Sequence, residues 1–151
     1  MGRVSAGLIL FRRTSAGVEV LLVHPGGPFW AKKDEGAWSI PKGEVAEGEE
    51  LLATARREFA EELGFTAIGE FLPLGEVRQK GGKTVHAWAV EGDCDAGNCK
   101  SNTFKMEWPP RSGKWAEFAE VDRAEFFGLA QAREKINTGQ APLLDQLDRL
   151  L

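Results

Sequence analysis

The chain opens with two apolar, β-rich runs, VSAGLILFRR and GVEVLLVHP, separated by a glycine-containing turn at Ser15–Gly17. This pattern predicts a β-hairpin. A Gly/Pro-rich loop follows from Pro25 to about Gly36 and carries Phe29, Trp30, Lys32 and Lys33. WSIPKGEV then reads as a short extended piece broken by Pro41 and Gly43. Residues 49–63, EELLATARREFAEEL, are rich in strong helix formers and predict the clearest helix, with Gly64 where a C-terminal cap belongs. FTAIGEFLPLGEVRQ predicts one or two strands, and the turn KGGK leads into the strand TVHAWAVEG. Asp93 to Asn102 reads as polar loop, and FKMEW as a short strand stopped by Pro109–Pro110. DRAEFFGLAQAREKIN predicts a second amphipathic helix, and PLLDQLDRLL a third. Strands and helices mix in order, without repeats or a dividing linker. The expectation is one α/β domain over residues 1–151.

Within the 49–63 helix, Leu51, Leu52, Ala55, Phe59 and Leu63 form one apolar stripe at about 100° per residue. Glu58, Glu61 and Glu62 fall on a stripe beside it, close enough to converge. Like charges at these spacings cost about 0.2–0.5 kcal/mol per pair. Carboxylates in the last turn also oppose the helix dipole, at roughly 0.3–1 kcal/mol each. Arg56 and Arg57 offset part of this, although Arg57 is expected off the acidic stripe. A purely structural helix would place Lys or Arg there. Either this is a solvated acidic face, or it is a site for a hard divalent cation such as Mg²⁺ or Mn²⁺, which would reverse both penalties. A bound cation makes a phosphate ester or anhydride the natural substrate. The preceding Pro41-Lys42-Gly43 supplies a cation for phosphate and a glycine that permits close approach or a positive φ. Glu49 is placed to pair with Arg57, or to serve as a simple N-terminal helix acid.

Composition narrows the picture further. The chain has 151 residues, 42% hydrophobic and 28% charged, which suits a folded globular domain with one core. Nineteen basic against twenty-three acidic residues give a net charge of −4, so extended nucleic-acid binding is not expected. Cys94 and Cys99 read as free thiols on a surface loop, and no second pair has zinc-site spacing. The apolar run near the N-terminus is too short to cross a membrane and has no cleavage-site pattern, which makes the cytoplasm the default location.

Gly43, Glu49, Arg57, Glu58, Phe59, Glu61, Glu62, Gly64 and Phe65 together resemble the Nudix box, G-x5-E-x7-R-E-U-x-E-E-x-G-U, with every defined position filled. The resemblance spans residues 43–65, with the flanking hairpin, W-x-x-P-K-G lead-in and late helix also similar. It implies an α/β/α sandwich with a mixed sheet and the box as loop–helix–loop. It further implies hydrolysis of a nucleoside diphosphate linked to another group, with Mg²⁺ or Mn²⁺ as cofactor. Carried over, Glu58 and Glu62 are direct metal ligands and Glu61 serves a second metal. Glu58 is also a candidate general base, while Lys42 and Gly43 meet substrate. Glu49, Arg57 and Gly64 are structural. A further carboxylate from a later loop falls on Glu120, six residues before Phe126, with Glu117 the near alternative.

The expected substrate is a nucleoside triphosphate or a dinucleoside polyphosphate such as diadenosine tetraphosphate. ADP-ribose or a nucleotide sugar is the alternative, with a non-catalytic nucleotide sensor and RNA 5′-end processing behind it. The chain has no tyrosine, and VRQKGGKTV has no proline, so two family marks of substrate choice are missing. Phe29, Trp30, Trp38 and Trp88 are stacking candidates for a base. Lys32, Lys33, Arg78, Lys80 and Lys83 are candidates for outer phosphates, and His24 and His86 read as packed strand histidines. The apolar helix Pro142–Leu151 is suited to closing the domain or meeting a partner, which leaves a homo-oligomer open.

Overall fold

A computed structural model of the chain describes residues 3–151. Strands β1 (Val4–Thr14) and β2 (Gly17–Pro25) form the expected hairpin, with Thr14 opposite Gly17 across the turn. β3 (Lys42–Glu44) pairs antiparallel with Ser5–Gly7 of β1, and helix α1 spans Leu51–Leu63. β4 (Leu72–Gln79) and β5 (Lys83–Glu91) form a second hairpin. β6 (Thr103–Glu107) and β7 (Trp115–Ala119) make a separate two-stranded ribbon. β8 (Val121–Gly128) leads into α2 (Leu129–Lys135) and α3 (Ala141–Leu150). The main sheet runs β4-β5-β1-β2-β8, with β3 attached to β1. It is mixed: β5 runs parallel to β1 over Val4–Phe11, and the other pairings are antiparallel.

The two faces of the sheet are both apolar because alternate side chains point opposite ways. Ala6, Leu8, Leu10, Leu21 and Val23 meet Ala55, Phe59 and Leu63 of α1. Ile9, Phe11, Val20 and Leu22 meet Ala132 of α2 and Leu143, Leu144 and Leu147 of α3. The result is the α/β/α sandwich with a mixed sheet.

Two expectations fail here. The helix expected over DRAEFFGLAQAREKIN begins only at Leu129, because Val121–Gly128 is a strand. It pairs with β2, setting Ala124 opposite Val23 and Phe127 opposite Val20, and those pairs fill the two cores. An open strand edge outweighs local helix preference at this point. The chain also does not stop extending at Pro109–Pro110; it turns and returns as β7, which the sequence reading missed. FTAIGEFLPLGEVRQ contributes a single strand, β4, and the Asp93–Asn102 loop holds one 3-10 turn at Ala96–Asn98. Among the described residues no helix is long and apolar enough to cross a membrane.

Candidate metal and phosphate site

Helix α1 is anchored at both ends by residues outside it. At its start, the Glu49 carboxylate takes two hydrogen bonds from the Arg57 guanidinium, at 2.8 and 2.9 Å, and one from the Thr54 hydroxyl at 2.6 Å. Those donors hold the Glu49 carboxyl down to about 2. The helix begins at Leu51, so Glu49 acts from the loop ahead of it. At its end, Gly64 takes the left-handed conformation, φ 78°, that a side chain would oppose, and its N–H bonds Ala60. The carbonyls of Glu61 and Leu63 accept from the N–H groups of Asn102 and Lys100. A later loop therefore satisfies carbonyls that the helix end leaves free.

Arg57 also donates to Glu58 Oε1 at 2.9 Å and to Glu61 Oε2 at 3.1 Å. The expectation that Arg57 stands off the acidic stripe is therefore corrected: its side chain touches two of the three acids, one of them a full turn onward in the helix. Arg56 instead lies over the Phe71 ring.

The three helix acids are not equivalent. Glu62 is buried, only 8% exposed, and lies on the core side of α1 rather than on a solvated face. Its Oε2 accepts the backbone N–H of Lys42 at 2.9 Å. Burial, reinforced by the charge of Glu58, pushes the Glu62 carboxyl well above the usual carboxylate range, against the pull of Lys42. Glu58 is half-buried, and its carboxyl is raised by burial while Arg57 opposes the shift. Glu61 is the most open of the three.

Gly43 explains how Glu58 reaches this position. A Cβ on Gly43 would overlap the Glu58 carboxylate, its carbon and both oxygens. Gly43 is not among the glycines with positive φ. Of the two reasons for a glycine here, close approach is the one that applies.

Glu120 comes from far along the chain. It follows β7, its N–H donates to the Asn102 carbonyl, and its own carbonyl accepts from Gly26, each at 2.9 Å. Because Asn102 is bonded to the end of α1, Glu120 is tied to the same end of the sheet. Its charge is felt at both Glu58 and Glu62. Lys42, Glu62 and Glu120 line one cavity of about 190 Å³, together with Pro25, Ser39 and Val121. Glu117 lies on β7, outside that lining. Phe126 sits within β8 rather than at a helix start, so the spacing that singled out Glu120 marks a strand. Lys42 is largely buried, which lowers its pKa, while the negative charge of Glu62 draws it back and Lys83 adds to the depression.

Among the described residues, no three His, Cys, Asp or Glu side chains converge closely enough to cage an ion as they stand. Arg57 occupies one oxygen of Glu58, and the Lys42 N–H occupies one of Glu62. The donor set still fits a hard divalent cation, which binds through a few carboxylates and completes its shell with water and substrate phosphate. The buried carboxyl of Glu62 is the observation that supports the fit: burial and Glu58 raise its pKa, and a cation there would favour its charged form.

The remaining candidates separate cleanly. Trp38 is fully buried in the core and donates to Asp34, so it presents no face for a base. Trp88 packs against the α1-side core. Phe29 and Trp30 are exposed, with Phe29 edge-on to Trp108 and Lys33 over Trp30. His24 is buried, bonded to Asp122 and to the Lys33 carbonyl, and His86 stands near Glu76. Cys94 and Cys99 are free and half-buried, and burial pushes the Cys94 thiol up to about 11. The order Asn102–Glu120–Gly26 had no sequence signal, since it depends on backbone groups that every residue carries.

Comparison with known proteins now decides the family. The NUDIX domain family matches residues 1–147. The chain belongs to the Nudix family. An RNA pyrophosphohydrolase of Caulobacter vibrioides is 45% identical over 56 residues, covering 34% of this chain. The matched stretch is only 33% of that relative's length. A Caenorhabditis elegans Ap4A hydrolase in a binary complex shares the fold, with TM-score 0.70 and 20% identity, over 97% of this chain and 96% of that one. So does the NUDIX domain of Shewanella oneidensis NrtR complexed with ADP ribose, with TM-score 0.69 and 19% identity, over 100% and 90%. This Nudix chain therefore has structural relatives that handle quite different nucleotides.

Proposed function

We propose that this chain is a divalent-metal-dependent pyrophosphohydrolase that cleaves a phosphoanhydride of a nucleotide, with nucleoside triphosphates and dinucleoside polyphosphates as substrates and Mg²⁺ as the working ion. The observation that carries this reading is Glu62: a buried carboxylate beside a second, half-buried one, opening on a cavity that also holds Lys42 and Glu120. Glu58 and Glu62 are the direct ligands, with Glu61 and Glu120 completing the acidic set. Held by these residues, a divalent cation would neutralise phosphate charge and would activate water for attack. Within the chain, Arg57 holds Glu58 and Glu61 in place, and Gly43 leaves the space that Glu58 fills. Lys42 offers its N–H to Glu62 and lines the same cavity. Glu58 is the candidate base for water. The Nudix box is complete, which favours turnover over nucleotide sensing.

The test is a panel of nucleoside triphosphates, dinucleoside polyphosphates, ADP-ribose and sugar nucleotides with Mg²⁺ or Mn²⁺, products resolved by chromatography. The expected result is metal-dependent release of a nucleoside monophosphate, abolished in Glu62→Gln and reduced about 10–100-fold in Glu120→Gln. Tight nucleotide binding without product, or full turnover by Glu62→Gln, overturns the proposal.

A further inference from the structure

β8 does not pair evenly with β2. His24 stands opposite Arg123 and Pro25 opposite Val121, so Asp122 has no partner across the pair and forms a one-residue bulge. Side chains on the two sides of the bulge are out of step. Ala124 points into the α1-side core, and simple alternation would send Asp122 to that face and Val121 to the other. Instead Val121 also points into the α1-side core, while Asp122 and Arg123 both turn to the opposite face. There Arg123 lies over the Trp38 ring, and Asp122 Oδ1 is hydrogen-bonded to His24 Nδ1 at 2.8 Å. His24 is fully buried and stands edge-on to Trp38. Its other nitrogen, Nε2, donates to the Lys33 carbonyl at 2.6 Å, because a carbonyl oxygen can only accept. One imidazole therefore joins β2, the bulge of β8 and Lys33 of the Pro25–Gly36 loop.

The bulge and the loop both border the metal and phosphate site. Val23 and Pro25 on one strand, and Glu120 and Val121 on the other, line the cavity shared with Lys42 and Glu62, whereas His24 and Asp122 stand outside the lining. Glu120 lies two residues ahead of the bulge, so the register shift decides how the chain delivers its carboxylate. The Glu120 carbonyl accepts the Gly26 N–H, two residues beyond His24, and a Cβ on Gly26 would overlap the Ala119 carbonyl. The two segments thus meet backbone to backbone immediately past His24. Arg123 adds a contact to Asp122 at 3.8 Å, too long for a hydrogen bond, which leaves His24 as the close partner that turns Asp122 inward.

We infer that His24 is a positioning residue: by holding the Asp122 bulge and the Lys33 carbonyl it fixes the placement of Glu120 at the metal site. The metal clause rests on the pyrophosphohydrolase reading; the clasp itself does not. Two measurements on the full chain separate them. Amide hydrogen exchange without metal reads the clasp. Protection of the Gly26 and Glu120 amides is expected to fall about tenfold in His24→Gln and in Asp122→Ala, and to be kept in His24→Asn, whose side-chain amide still reaches Asp122. Asp122 is partly exposed, so its variant decides the matter if the buried histidine cannot be replaced without unfolding. Titration with Mn²⁺, followed by the electron paramagnetic resonance signal of the free ion, should show affinity weakened about tenfold by His24→Gln or Asp122→Ala. KM for nucleotide at saturating Mn²⁺ should stay nearly unchanged. In a Glu120→Gln background the same substitutions should weaken Mn²⁺ binding no further, because their effect passes through Glu120. Unchanged protection in both His24→Gln and Asp122→Ala overturns the clasp. Unchanged Mn²⁺ affinity in these variants, or an equal further loss in the Glu120→Gln background, overturns the action through Glu120. Absence of any Mn²⁺ binding by the wild type sinks the metal reading while the exchange still decides the clasp.

Discussion

Replacing Gly43 by alanine separates geometry from backbone strain. The backbone at Gly43 lies outside the positive-φ region, so alanine is acceptable to the chain itself. The new Cβ, however, would overlap the Glu58 carboxylate. Carbon atoms in contact settle about 3.5–4.0 Å apart, so the carboxylate must retreat by more than about 1 Å. Its present position is held by Arg57 Nη1 at 2.9 Å, and that bond must stretch or break. The end of a glutamate side chain is mobile, so the stability cost stays near the lower bound for overpacking, about 1 kcal/mol. The functional cost is larger, because a misplacement of about 1 Å in a reacting assembly costs roughly 100-fold in rate. The assay is kcat on the best nucleotide with saturating Mg²⁺, set beside urea unfolding of the same preparations. The double variant Gly43→Ala/Glu58→Ala should unfold like Glu58→Ala alone, since the overlap is gone. A kcat within twofold of wild type for Gly43→Ala would refute the argument that Gly43 exists to admit Glu58.

Three further outcomes are expected. Arg57→Ala loses its bonds to Glu49, Glu58 and Glu61, and urea unfolding should register a loss of about 1–2 kcal/mol once partial exposure of the guanidinium is allowed for. Glu49 ionises in the folded protein at about 2, below its unfolded value, so its contribution is present above about pH 4.5 and is lost as pH falls towards 2. The stability gap between wild type and Glu49→Gln, followed by thermal unfolding across that window, should close on acidification; a gap independent of pH would remove the ion pair from the account. Trp38→Ala leaves a cavity in the α3-side core and should cost about 3–5 kcal/mol, with KM for nucleotide unchanged in whatever fraction stays folded. A selective rise in KM would instead return Trp38 to the substrate site.

The box was legible because local spacing suffices for it. Glu49 and Arg57 are eight residues apart and belong to one loop–helix unit, so their pairing needs no knowledge of the rest of the chain. The same holds for Gly64, whose φ is a property of a helix end. Glu62 was legible as an acid on α1 but not as a buried one, since burial depends on β3 laying the Lys42 N–H against it. The Arg57–Glu61 pair is an i,i+4 contact that helix spacing itself allows, whereas the Arg57–Glu58 bond needs the reach of a long arginine side chain.

β8 marks where local reasoning ends. DRAEFFG has helical composition, yet the free edge of β2 recruits it as a strand, and the return strand β7 is set by pairing with β6 rather than by its own pattern. Sequence alone determined the alternation that buries both faces of β1 and β2, the helix with its three acids and its glycine cap, and through the box the Nudix family. Tertiary structure alone decided which acid is buried, that Gly43 serves close approach, and that Asn102 carries Glu120 to the end of α1. It also decided that Arg78, Lys80 and Lys83 share a cavity with the turn before α3. Each of these depends on contacts between segments remote in the chain, where packing and burial override the preference of any single stretch.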